Sequence, residues 1–159
     1  GKNFELSKLR YDRLIILADA DADGNHIATL LLTFLYRYLP KLITNGKVYL
    51  AQPPLYRIDA GKETFWALDD GQKNEVLSGL GNGKSQARAE VTRFKGLGEM
   101  MPKILWDTTL NPKTRRLLRV GVADQISTDR VISDLMGRDA SARFRFIMDH
   151  AEDADALDV

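Results

Sequence analysis

At 159 residues the chain is long enough for one domain with a small appendage and a core of useful size. Hydrophobic residues make up 44% and charged residues 28%, an ordinary globular balance, and a net charge of +1 excludes a strongly basic nucleic-acid binder. No cysteine is present, which excludes disulfides and thiolate sites and is compatible with a cytoplasmic home. There is no apolar run of bilayer length and no signal-peptide pattern, and the start at Gly1 is compatible with a piece of a longer protein. The charge is asymmetric: Glu152, Asp153, Asp155 and Asp158 crowd the end, and setting them aside leaves about +5 on the rest, a modest bias toward polyanions.

In chain order, Leu14 to Ala18 is an aliphatic run that reads as a buried strand. Residues 25–39 are expected to be a helix, with Ile27, Leu30, Leu31, Phe34, Leu35 and Tyr38 spaced as one apolar face, Asp23 or Asn25 as its cap, and Pro40 and Asn45-Gly46 beyond its end. Lys47 to Ala51 reads as a second strand, so strand, helix and strand predict a βαβ unit with parallel strands and a right-handed crossover. Residues 55–58 and 63–68, joined by Asp59-Ala60-Gly61-Lys62, predict a hairpin, and residues 70–80 a short helix. A surface loop with Gly79, Gly81 and Gly83 leads to a strand over 88–94, a Gly96-Leu97-Gly98 turn and a helix over 99–106. The remainder predicts a strand over 117–122 and helices near 128–136 and 140–149, after a basic stretch of Lys113, Arg115, Arg116 and Arg119 that reads first as a solvated face. The expected architecture is α/β, with a largely parallel sheet flanked by helices and a mostly helical tail. Residues 1–108 form the main domain and 109–159 the tail.

The chemistry concentrates in Asp19-Ala20-Asp21-Ala22-Asp23-Gly24, directly behind the first strand. Three like charges within five residues repel unless a cation gathers them, and hard oxygen donors suit Mg²⁺, Mn²⁺ or Ca²⁺. The site lies at the carboxyl end of a strand and at the positive end of a helix, where ligands and phosphates bind in such folds. A calcium EF-hand loop begins the same way but needs a glutamate at its twelfth position, and counting from Asp19 that position is Leu30. An aspartyl phosphatase is a second rival, but its aspartate pair is generally followed by Thr or Val, and the chain here continues Asp23-Gly24-Asn25-His26. A purely structural turn, with the acids capping the helix, is the third.

The segments Leu9-Arg10-Tyr11-Asp12, Leu14 to Ile27 and Thr29 to Phe34 resemble the Toprim metal site of bacterial type IIA DNA topoisomerases. Gln52-Pro53-Pro54-Leu55-Tyr56-Arg57 and Arg93-Phe94-Lys95-Gly96-Leu97-Gly98-Glu99-Met100 extend the likeness, in order, over nearly the whole chain. It points to a B-type subunit, of DNA gyrase or of topoisomerase IV. Met100-Met101 leans toward the latter and the ending Ala156-Leu157-Asp158-Val159 toward the former.

The resemblance implies an ATP-dependent enzyme that breaks and reseals double-stranded DNA, with the tyrosine supplied by a partner A-type subunit in an A2B2 heterotetramer. It implies Mg²⁺, with Mn²⁺ or Ca²⁺ as substitutes. Asp19 matches the acid touching both cation positions, Asp21 the one holding the second, and Asp23 a third that binds directly or through water. His26 matches a residue that contacts DNA; Lys95, just before Gly96 and Gly98, is read as a DNA-phosphate contact or a support for the metal strand, with a structural part in a tight turn as the alternative. Arg143 matches the first arginine of a DNA-approaching pair, whose second position here is Phe144. The family's general acid/base glutamate belongs to an upstream segment with no counterpart in these residues, so no catalytic residue is assigned within the chain. ATP would act through a module that has no counterpart here either. Ala28 stands where the family carries arginine, which puts one DNA contact in doubt. Ala22 and Asn25 replace Val and Ser. Two other classes remain open: a stand-alone metal-dependent phosphoesterase or nuclease, and a non-catalytic docking module.

Overall fold

A computed structural model of the chain describes residues 4–80 and 89–151. Most of the expected glycine-rich loop and the acidic tail from Glu152 lie outside the described residues. The first strand, β1 (Leu14–Ile16), is followed by α1 (Ala22–Tyr38), the short α2 (Pro40–Thr44) and β2 (Val48–Ala51). β1 and β2 pair in parallel, with Leu14 opposite Val48 and Ile16 opposite Leu50. The expected βαβ unit is therefore present, and its helix begins three residues earlier than the apolar spacing predicted.

The hairpin forms as β3 (Tyr56–Ala60) and β4 (Glu63–Ala67). Gly61 turns it at φ +67, a left-handed conformation in which a side chain would be strained. After α3 (Asp70–Gly79), β5 (Glu90–Arg93) pairs antiparallel with the other edge of β3, giving a second sheet in the order β4-β3-β5. A single 3₁₀ turn (Leu97–Glu99), a four-residue helix α4 (Pro102–Leu105) and a π-helical turn (Trp106–Leu110) replace the one helix expected over 99–106.

The tail contributes β6 (Leu117–Arg119), α5 (Gln125–Met136) and α6 (Ala140–Asp149). β6 joins the free side of β2 antiparallel, with Leu50 opposite Leu118, so the first sheet runs β1-β2-β6. The α/β class holds, but among the described residues only the β1–β2 pair is parallel, a correction to the largely parallel sheet expected. The reason is connection length: a two-residue turn can only return a strand antiparallel, and β6 arrives from a separate part of the chain.

Each sheet has its own small core. Around the first, Ile16, Ala28, Leu35, Leu42, Ile43 and Val48 are buried together. Around the second, Tyr56, Ile58 and Ala67 are buried, with Val76 and Leu77 of α3 packed over them. The face that α1 turns inward is not the one its spacing suggested. Of the six residues expected there only Leu35 is buried, at 6% exposure, whereas Ile27 is 54% and Phe34 51% exposed. The inward face carries Gly24, Ala28 and Leu35, small residues near its start letting the helix approach the strand tips.

Candidate metal centre at the tip of the first strand

Asp19 lies three residues beyond β1, in the turn leading into α1. Its Oδ1 accepts the Leu97 main-chain N–H at 2.7 Å, a bond joining two segments 78 residues apart. The receiving turn is closed on itself: the Glu99 side chain accepts the Lys95 N–H at 2.8 Å, and the Glu99 N–H reaches the Gly96 carbonyl at 3.1 Å. Gly96 packs flat against the Asp19 carboxylate. A Cβ placed there would sit 3.1 Å from Oδ2 and 3.2 Å from Oδ1. The glycine is used for space, since its φ of −166 is extended backbone open to any residue. Gly98, expected to share in a tight turn, faces open space.

Asp21 is the helix cap, in place of the expected Asp23 or Asn25. Its Oδ1 accepts the Gly24 N–H at 2.7 Å, satisfying one of the helix's orphan donors, and its carbonyl accepts the Asn25 N–H at 3.0 Å as the first helical bond. Asp23 stands exposed in the first turn, where a carboxylate is favoured by the helix dipole.

The three carboxylates do not close into a cage. Among the described residues no group of three or more His, Cys, Asp or Glu side chains is placed to hold a metal ion. Among the hydrogen bonds of the described residues, none engages Oδ2 of Asp19, Oδ2 of Asp21 or either carboxylate oxygen of Asp23. Such a donor set, hard oxygens only and few of them, fits a cation such as Mg²⁺, which keeps several waters and takes one or two carboxylates.

Two clefts flank these acids. One, of about 300 Å³, is lined by Asp19, Asn25, Ala28, Gln52 and Pro53 at the carboxyl ends of β1 and β2. The other, of about 430 Å³, sets Asp21 and Asp23 opposite Arg93 and Lys95. Lys95 is exposed there, and His26 is exposed one turn into α1. Arg143 lies elsewhere: it lines neither cleft, and its guanidinium donates to the Gly137 carbonyl at the end of α5. The Leu97 amide and the close-packed Gly96 escaped the sequence reading. A main-chain donor leaves no residue signature, and the only trace was the Lys-Gly-Leu-Gly-Glu spacing itself.

Residues 2–53 match the Toprim domain family, and residues 86–148 match the family of the DNA gyrase B subunit carboxyl terminus. The whole chain is 51% identical to a protein of Thermotoga maritima, 48% to one of Archaeoglobus fulgidus and 48% to one of Haloferax volcanii, each named as the B subunit of DNA gyrase. It spans 24% of the length of each of these relatives. The Asp19–Leu97 bond thus ties one matched segment to the other. The chain therefore carries Toprim sequence followed by gyrase B carboxyl-terminal sequence, and is similar over its whole length to a segment of the B subunit of DNA gyrase.

Proposed function

We propose that this chain is the cation-holding segment of a B-type subunit that supports reversible double-strand DNA cleavage by a partner A-type subunit's tyrosine in an ATP-driven cytoplasmic enzyme. The observation that carries the reading is the convergence of the two family-matched segments on Asp19, at the carboxyl end of β1. The shared name of the relatives favours gyrase over topoisomerase IV.

Asp19 and Asp21 are the direct ligands in this proposal, through the oxygens their hydrogen bonds leave over, and Asp23 completes the shell through water. A divalent cation bound there supplies offsetting charge for the attacking and leaving oxygens at phosphorus. The chain's own work is to fix those carboxylates and to align the DNA backbone. His26 and Lys95, both exposed beside the acids, are the proposed phosphate contacts near the site. Arg143 keeps further N–H groups for a more distant phosphate while one is committed to Gly137. Residues 1–108 carry the site in this scheme, and 109–159 support it, β6 completing the first sheet.

Reconstitution of the full-length protein with its A-type partner tests the reading. Asp19→Ala and Asp21→Ala should each lower Mg²⁺-dependent cleavage by roughly a hundredfold or more, with DNA binding retained. Unchanged cleavage would leave the docking-module reading, and DNA hydrolysis by the 159-residue chain alone would favour the nuclease.

A further inference from the structure

We propose that the Lys95–Glu99 turn is a positioning device for the Asp19 carboxylate, with Gly96 and Glu99 as its working residues. The proposal deepens the cation reading and rests on it. A carboxylate at the end of a flexible loop samples several rotamers, and ordering it on cation binding costs affinity. Here the ordering is done beforehand by three contacts. The Leu97 N–H holds Oδ1 at 2.7 Å, the bare Cα of Gly96 backs the carboxylate, and the Glu99 carboxylate fixes the turn by taking the Lys95 N–H at 2.8 Å. Met100, which is buried and whose N–H reaches the Leu97 carbonyl at 3.2 Å, anchors the turn to the body of the protein.

The division of labour within the carboxylate follows. With Oδ1 engaged by a main-chain donor, Oδ2 is the oxygen free to face a cation. A hydrogen-bonded neighbour of a ligand typically changes metal affinity by about 10- to 100-fold when removed. Glu99 acts through the turn, so Gln, whose carbonyl also accepts from Lys95, should substitute for it, whereas Ala should not. A methyl at Gly96 would press on the carboxylate, whereas one at Gly98 meets no atom within 4 Å, so the two glycines of one turn provide the test and its control.

The experiment is Mn²⁺ binding to the ¹⁵N-labelled 159-residue chain, read by electron paramagnetic resonance of the free ion, together with the Leu97 amide proton shift before metal is added. Gly96→Ala and Glu99→Ala should each weaken Mn²⁺ by about tenfold or more and move the Leu97 amide upfield, with unchanged melting. Gly98→Ala and Glu99→Gln should stay within about twofold of the parent. Parental affinity in Gly96→Ala and Glu99→Ala overturns the positioning role and leaves the cation reading standing. Equal losses in Gly98→Ala overturn it too, since the effect would then be general to the turn. If the parent does not bind Mn²⁺, or Asp19→Asn binds it equally well, the cation reading itself fails and the positioning role falls with it.

Discussion

Gly24 rides directly on the backbone of Asp19: a Cβ on Gly24 would lie 2.2 Å from the Asp19 carbonyl oxygen and 2.8 Å from its amide nitrogen. That spacing is far inside van der Waals contact, and the obstacle is main chain, which cannot rotate away. Gly24→Ala should therefore displace the start of α1 from the β1 tip and cost about 1–3 kcal/mol, the range for forcing a methyl into a packed site. Denaturant unfolding checks it, and a midpoint unchanged from the parent would show that the turn relaxes freely.

Asp21 caps α1 and is the proposed second cation ligand, and two substitutions separate these duties. As helix cap it needs an oxygen for the Gly24 N–H, which Asn supplies and Ala does not. As cation ligand it needs the charge, which neither retains. Asp21→Ala should cost about 1 kcal/mol of stability, while Asp21→Asn should cost only a few tenths. Both should weaken Mn²⁺ alike, in the binding assay on the 159-residue chain. Full Mn²⁺ affinity in the Asn variant would reduce Asp21 to a cap.

On α1 the buried and exposed apolar residues make opposite predictions. Leu35→Ala removes a side chain buried against the first core and should cost about 2–5 kcal/mol. Ile27→Gln acts on a side chain more than half exposed and should cost about 1 kcal/mol or less. Thermal or denaturant melts of the two variants give the comparison. A larger loss at Ile27 would mean that the outward stripe, and not the inward one, carries the fold.

That helix also shows where sequence stops being decisive. Its existence was legible, because a run from Ile27 to Leu39 without Gly or Pro has no other stable outcome. Its orientation was not, because Ala28, Leu32 and Leu35 form a second apolar stripe and periodicity alone cannot rank two faces. The choice falls to Gly24 and Ala28, whose smallness matters only once a sheet is there to approach. The site divides in the same way. Asp19 and Asp21 stood out as alternating carboxylates behind an aliphatic strand, and the structure sets them at that strand's tip. The Leu97 N–H could not be read, since any residue but proline offers one, and only the fold decides which of them meets Asp19. The antiparallel return of β6 was hidden for a related reason: Leu117 to Arg119 marks a strand without naming its neighbour.

Acid sensitivity should be traceable to Asp70, at the start of α3. Its carboxylate is held below the ordinary value of 3.8, first by the hydrogen bond from the Lys73 ammonium and next by that from the Tyr56 hydroxyl, at 3.0 Å. A depressed folded-state value means that the ionised group stabilises the fold. The contribution is fully present above the unfolded value, about 3.9, and is lost as pH falls through the lower folded one. Lys73 is raised by the same pairing, so its share is present across neutral pH and disappears only as pH climbs through its own folded value, beyond about 10.4. Asp70→Asn should thus destabilise most near neutrality, and the gap from the parent should shrink below about pH 4 and close once the parent's own carboxyl is protonated. Urea unfolding of both chains over that range is the measurement. A gap that stays constant from neutrality into acid would show that Asp70 contributes through packing or neutral hydrogen bonds, and that its charge does not stabilise the second sheet.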